Sequence, residues 1–503
     1  MPSGRDLASA HHDGLSFPAV RAGLLAPFAP LAVVAAAVVL FNAAGIVFHL
    51  WHPAPKDPWN AALTVTAARH LQGLPVYADP ALDQASTMYG PLVPLLTSWL
   101  FHLFGVSVLT GKLLSLTASL GVVGLVLTNT ASRDPRAWLI GGALLFACNH
   151  NAYFYFVDAR PDMVAIFFAL VALLLFADWE RGPRAWTLIL SLAMFVLAFL
   201  AKQPLAAAAL VPAVAEALRG GGLSRRRLAT FGFTALPLVA VLLAIASIRW
   251  ANPTAHFYMV TLPATYPVLP VTTALRIGFD LALMYAPLLL VAFDLVTRPA
   301  RPSDARGRWW SAAVGVFLIA GVVTMAKAGG ARNSLLPLFI ASAGFLTLQL
   351  PRAYGFLDDR TLSIGRRLAA SAIFVVMLLA FAARRPGEAV AAFVSVHGDA
   401  SYHDVVALAR TLPGPVRCPE DPTIPLLARG ELTRSLYFEM DAAYWPARLP
   451  AYVDDEIAAA RHVIQVNGPF QRLLTDEWLS RLGFGPVPDR TLERSVYRLW
   501  TKD

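Results

Sequence analysis

The sequence predicts an all-α polytopic membrane domain of about eleven transmembrane helices, followed by a small soluble α/β domain. Three observations carry this reading. Hydrophobic residues fill 57% of the 503 positions, charged residues fill 15%, and mean hydropathy is +0.57, outside the range of soluble globular chains. Apolar runs approaching the ~20 residues that a bilayer core requires recur at 24–50, 107–128, 137–156, 162–178, 185–201, 203–218, 228–249, 278–297, 309–326, 332–350 and 367–383. Residues 384–503 then change character, mixing charge and proline with short strand-like runs such as Val463-Ile464-Gln465-Val466 and Ser495 to Trp500. The expected division is a cytoplasmic N-terminus (1–23), a transmembrane domain (24–383) with a polar loop at 51–106, and the soluble domain (384–503).

The first apolar run is too long for a cleaved signal and reads as a retained anchor. Two cysteines, Cys148 in an apolar run and Cys418 in the polar part, make neither a disulfide framework nor a thiolate metal site. The net charge of +9 and pI near 9.7 reflect cytoplasmic loops rather than a nucleic-acid partner, because no basic, aromatic-interleaved surface accompanies them.

Topology follows from where the cations fall. Basic residues cluster at Arg133/Arg136, Arg181/Arg184, Arg219 with Arg225 to Arg227, Arg298/Arg301/Arg306/Arg308, and Arg352/Arg360/Arg366/Arg367. Short cytoplasmic loops carry such excess. All five share the side of the N-terminus only if the apolar segment 90–105 does not cross, so that segment, with Pro91, Pro94 and Gly105, is expected to be interfacial or re-entrant. The outer connections are then 51–106, 157–161, Ala201 to Gln203, 250–277 and Lys327 to Arg332, and the soluble domain is outside as well.

These outer turns hold the candidate chemistry. Lys56-Asp57-Pro58-Trp59-Asn60 places a cation, a carboxylate, an indole and an amide just beyond the first run, in a loop closing at Tyr89-Gly90-Pro91. Asp57 and Pro58 read as a helix N-cap and first position, with Gly73 past the helix end. The same carboxylate beside an apolar slab suits a general base. Asn caps nearly as well as Asp, so Asp57→Asn is expected to spare the fold. In Asp158-Ala-Arg160-Pro161-Asp162, Pro161 and Asp162 suit a helix start, which leaves Asp158 and Arg160 to orient one another, grip sugar hydroxyls, or join Asp57 around a divalent cation. Lys202-Gln203-Pro204 pairs an ammonium with the start of a helix, an anion-binding arrangement, or else snorkels. Lys327-Ala-Gly-Gly-Ala-Arg332-Asn333 repeats it, with glycines permitting a backbone nest. The loop 250–277 adds His256, Tyr258, Tyr266 and Arg276.

In this order and sidedness, the Asp after the first helix, Gly73-Leu-Pro-Val-Tyr77-Ala-Asp79, Tyr89-Gly-Pro-Leu, Phe104-Gly105 ahead of Lys112, and Asp158-Ala-Arg-Pro-Asp162 resemble the GT-C superfamily of membrane glycosyltransferases. The likeness is to bacterial relatives of the protein O-mannosyltransferases and of the lipid A aminoarabinose transferase, over roughly residues 24–350. It implies an inner-membrane enzyme with a periplasmic C-terminal domain that moves a sugar from a polyprenyl-phosphate carrier to a glycan, lipid or protein acceptor. Asp57 would be catalytic, with Asp158 or Asp162 supporting. Lys202, Gln203, Lys327, Arg332 and Asn333 would hold the donor phosphate, and Lys56, Trp59, Asn60, Tyr89, Arg160, His256 and Tyr258 the substrates. Pro58 stands where the O-mannosyltransferases have Glu, so the acidic pair is absent here. The competing expectation is a secondary transporter or lipid flippase, which would need ionisable residues within the membrane, Lys112 being the clearest.

Overall fold

The computed structural model describes residues 27–55, 57–79, 82–131, 133–151, 154–219, 225–269, 271, 305–359, 361–382, 402–443, 449–467, 473–489, 492–493 and 495–502. The expected span 278–297, Lys56 and Arg276 lie outside the described residues.

Over their described residues, the other apolar runs are largely helical. The membrane domain comprises α1 (Ala29–Trp51), α2 (Pro58–Leu71), α3 (Leu92–Phe104), α4 (Val108–Thr130), α5 (Pro135–Asn151), α6 (Asp162–Arg181), α7 (Ala185–Ala201), α8 (Val211–Ala217, after a 3₁₀ stretch Gln203–Leu210), α9 (Arg225–Thr234), α10 (Leu236–Ala251), α11 (Ala305–Met325), α12 (Leu336–Asp358) and α13 (Ile364–Ala382). Among the described residues, six helices are long and apolar enough to cross a membrane: α1, α4, α6, Thr230–Ala251, α11 and Arg332–Pro351. α6 packs along α7, α1 along α5 and α11 along α12.

The helix ends sort by chemistry. Described members of all five basic clusters fall where α4, α6, α8 and α12 end and α5, α7, α11 and α13 begin. There Arg136 grips both carboxylate oxygens of Asp358 at 3.0 Å, reaches Asp134 at 2.9 Å, and lies over the Tyr354 ring. Exposed Trp138 and Trp186 mark that end, and exposed Trp51 and Trp250 mark the other, as in the aromatic belts of membrane proteins.

α3 carries the doubtful segment. At ~1.5 Å per residue its 13 residues span about 20 Å, against a hydrocarbon core of roughly 30 Å. Val93, Pro94, Thr97, Ser98 and Phe101 are buried, while Leu95, Trp99 and Leu103, four apart, form an exposed apolar stripe. That is the shape expected of an interfacial helix rather than a crossing one.

Lys112 also finds a plain role. Its buried ammonium donates to the carbonyls of His49 (3.0 Å), His52 (2.6 Å) and Ala54 (3.1 Å), satisfying acceptors that the end of α1 leaves without helical partners.

The C-terminal domain contains α14 (Tyr402–Thr411), β1 (Val416–Arg417), α15 (Thr423–Arg429), α16 (Leu436–Ala442), α17 (Ala451–Ala458), β2 (His462–Val466), α18 (Asp476–Arg481), β3 (Gly485–Val487) and β4 (Tyr497–Thr501). The sheet order is β1-β2-β4-β3, with β1 and β2 parallel, and β4 antiparallel to both β2 and β3. The two runs read from sequence as strands are neighbours, Ile464 pairing with Leu499. Adjacent Val463 and Ile464 point to opposite faces and join separate apolar clusters, Ile464 with Tyr402 and Val405, Val463 with Ile457 and Leu479. Helices therefore cover both faces. The domain seats on α2: Phe438 packs with Ala62 and Leu63, and Leu426 with Val65 and Ala68.

Candidate active site

At the end away from the basic clusters, the polar turns converge on Asp57. Pro58 at the first helical position leaves Asp57 as N-cap of α2, and its Oδ1 accepts the Asn60 N–H at 3.0 Å. The cap expected from sequence is therefore real. The other oxygen, Oδ2, accepts Arg160 Nη1 at 2.8 Å, with both side chains buried. One carboxylate thus caps α2 with one oxygen and pairs with Arg160 through the other.

Arg160 comes from the tight connection between α5 and α6. Pro161 is the N-cap of α6 and Asp162 its first residue, one position later than the sequence pattern suggests. The guanidinium also donates to Tyr155 Oη at 3.1 Å and Tyr89 Oη at 2.5 Å, and it lies 5.6 Å from the Trp59 ring centre. Asn60 donates its amide to Asp158. Asp162 pairs with Lys202, whose ammonium lies 5.8 Å from the Tyr89 ring centre. Arg160 therefore reaches across to Asp57 instead of to the two carboxylates that flank it in sequence.

Tyr89 is held from several sides. Gln203 donates to the Met88 carbonyl, and Tyr77 to that of Tyr89. A Cβ on Gly90 would lie 1.8 Å from the Leu200 carbonyl oxygen, so only glycine lets this loop lie on the end of α7. Burial first, then Asp162 and Asp441, push the Tyr89 phenol up to about 12 against the pull of Arg160. Since it accepts from Arg160, its own O–H remains to be donated. Burial likewise lowers the Lys202 ammonium below the usual lysine range, against the opposing effect of Asp162.

The remaining candidates spread outward. Asn333 and Ser334 line a small cavity shared with Asp162 and Lys202. Arg332 is half-buried at the start of the 3₁₀ turn Arg332–Leu335. Lys327 donates to the Pro263 carbonyl at 2.9 Å, in a turn where Gly329 takes a φ of +76°. Tyr258 is buried and stacks on Tyr77 at 6.0 Å, backing the Tyr89 loop. His256 stands apart, its Nδ1 3.4 Å from Thr261 of its own turn.

Formal charges shape what this arrangement can do. Three buried carboxylates (Asp57, Asp158, Asp162) face two buried cations (Arg160, Lys202), so the centre has no spare positive charge for an anion. Lys327, at the same end, has its ammonium against the Pro263 carbonyl. The carboxylates also have separate partners, and among the described residues no three His, Cys, Asp or Glu side chains gather as a metal set.

Sequence reading gave no role to Tyr155 or Tyr77 and missed a contribution from the C-terminal domain. Trp59 Nε1 donates to Asp441 Oδ2 at 2.9 Å, 382 positions away, and Tyr437 packs on the indole at 5.0 Å. No local pattern marks them.

No protein-family model matches the chain, and no curated protein matches it. Among solved structures it is similar to ArnT from Cupriavidus metallidurans bound to undecaprenyl phosphate, with a TM-score of 0.56 at 15% identity over 93% of this chain and 97% of that one. This is a GT-C-like fold. ArnT in the apo state matches equally, with a TM-score of 0.55 at 14% identity, covering 92% and 97%. A looser likeness, with a TM-score of 0.42 at 14% identity over 76% of this chain and 55% of the other, is to an Archaeoglobus fulgidus oligosaccharyltransferase in complex with Zn and sulfate. Because the ArnT match spans nearly the whole of both chains, the GT-C-like fold includes the C-terminal domain as well as the helices.

Proposed function

We propose that the chain is an integral-membrane glycosyltransferase that moves a sugar from a polyprenyl-phosphate carrier to an acceptor hydroxyl at the outer face of the plasma (inner) membrane, where the C-terminal domain also lies. The observation that carries this is the buried Asp57–Arg160 pair at 2.8 Å, held where the turns of a GT-C-like fold converge. The undecaprenyl phosphate bound by ArnT supports a carrier of the same class here.

In this reading the acceptor oxygen attacks the anomeric carbon as the carbon–oxygen bond to phosphate breaks. The polyprenyl phosphate leaves with the bonding pair, and Asp57 takes the acceptor proton. Arg160 and the Asn60 N–H aim the carboxylate, and Tyr89 donates its O–H to a sugar or phosphate oxygen. The leaving phosphate is met by Arg332 and Lys327, with Lys202, Gln203 and Asn333 at the rim. Asp158 and Asp162 keep Asn60 and Lys202 in place. Holding donor and acceptor at one interface supplies much of the remaining acceleration. The transporter reading loses its main support, since Lys112 serves to cap α1.

The test offers polyprenyl-phosphate sugars and hydroxyl acceptors to the protein in nanodiscs and measures released polyprenyl phosphate. Wild type should turn over, and Asp57→Asn should lose about 10²–10⁴-fold, the range for a general base. Wild-type turnover by a folded Asp57→Asn, Arg160→Gln double variant would remove Asp57 from the chemistry. Lipid or solute translocation with no release from any donor would favour a transporter.

A further inference from the structure

The C-terminal domain reaches the site through one short helix. α16 is buried from Leu436 to Asp441, and four contacts from α16 and the Arg434 turn before it hold the outer connections of the membrane domain. Glu439 accepts the Ala85 N–H at 2.8 Å, and Arg434 donates to the Asp83 carbonyl at 2.8 Å. The Asp441 carbonyl accepts Tyr266 Oη at 2.7 Å, and the Asp441 carboxylate accepts Trp59 Nε1 at 2.9 Å. The first three contacts fasten loops. The fourth enters the site, because the indole it fixes meets both Tyr437, at 5.0 Å, and the Arg160 guanidinium, at 5.6 Å.

We propose that Asp441 is a positioning residue of the site: it pins the Trp59 indole by its N–H, the indole backs the Arg160 guanidinium, and the guanidinium aims Asp57. This rests on the glycosyltransferase reading for what Asp57 does, but not for the geometry. An indole can turn about two side-chain bonds, and the tilted packing against Tyr437 offers its N–H no hydrogen-bond partner. The hydrogen bond from Nε1 to Asp441 fixes which way the ring is turned. The Arg160 guanidinium carbon then lies over a fixed indole ring, 5.6 Å from its centre, in a cation–aromatic contact. The soluble domain is thereby part of the catalytic apparatus, and its seating on α2 decides whether the Asp57–Arg160 pair is aligned.

Two measurements on the full chain in nanodiscs test this. The first is phenylglyoxal modification of Arg160 read by mass spectrometry, which needs no turnover. Asp441→Ala and Trp59→Phe should each raise its rate several-fold, and Asp441→Asn, whose amide oxygen accepts the same N–H, should recover most of the wild-type protection. The second is steady-state transfer. Asp441→Ala and Trp59→Phe should each lower kcat about tenfold with the donor KM changed less than twofold, and the double variant should be no slower than either single one. Unchanged Arg160 modification in Asp441→Ala, an Asn variant as impaired as the Ala variant, or additive losses in the double variant would each overturn the proposal. Absence of transfer by wild type, with the modification pattern intact, would instead count against the glycosyltransferase reading alone.

Discussion

Asp57→Asn alone does not separate a cap from a base, because the structure gives Asp57 a second partner. Oδ1 caps α2 and Oδ2 meets Arg160 at 2.8 Å, with side-chain exposures of only 7% and 8%. Asn preserves the cap to within a few tenths of a kcal/mol. It also strands a buried guanidinium, and removing one partner of a buried pair costs about 3–5 kcal/mol. Arg160→Gln strands the carboxylate at a similar cost, about 3–5 kcal/mol. Replacing both removes the stranded charge that either single change leaves, so the double variant should be no less stable than either single variant, with a coupling energy of about 3 kcal/mol. The assay is a double-mutant cycle in denaturant unfolding of the detergent-solubilised protein. Additive losses, which would place the double variant about 6–10 kcal/mol below wild type, would refute the ion pair as a coupled unit. So would a Asp57→Asn variant as stable as wild type, the outcome that a cap alone predicts.

Other outcomes follow from individual contacts. Lys112→Met removes the donor to three carbonyls at the end of α1 and should cost about 2–3 kcal/mol, the range for unmade buried hydrogen bonds, read as a lowered Tm. Gly90→Ala drives a Cβ against the Leu200 carbonyl, so the Tyr89 loop should lift and become newly sensitive to limited proteolysis between residues 82 and 90. A cysteine at exposed Leu82 should react with an impermeant maleimide from outside intact cells, and one at exposed Arg133 should not; the native cysteines are buried and stay silent. Ser86, in the same loop, is buried and unsuited to this measurement.

The Asp57 cap was legible because it depends on adjacent residues: Asp-Pro at the head of a helical stretch and glycine after it. The strands β2 and β4 were legible for the same reason, as runs of β-branched and aromatic residues. The short 90–105 segment was read through the placement of Arg and Lys, a rule that acts on loops rather than on contacts. Partner choice was not legible. Arg160 lies two residues from both Asp158 and Asp162, yet it pairs with Asp57, 103 positions away. Lys202 looked like a free cation at a helix start, and the fold gives it to Asp162.

By itself, the sequence determines a helical membrane domain, a small α/β domain after it, and which connections carry polar chemistry at one end of the helices. These follow from hydropathy, periodicity and charge placement, which are local sums along the chain. Only the tertiary structure decided that Asp57 both caps α2 and pairs with Arg160, that Lys112 ties down α1, and that Asp441 reaches Trp59. Those choices depend on which helix ends meet once apolar faces are buried, and a buried charge takes the partner that packing brings to it, whatever their separation in sequence.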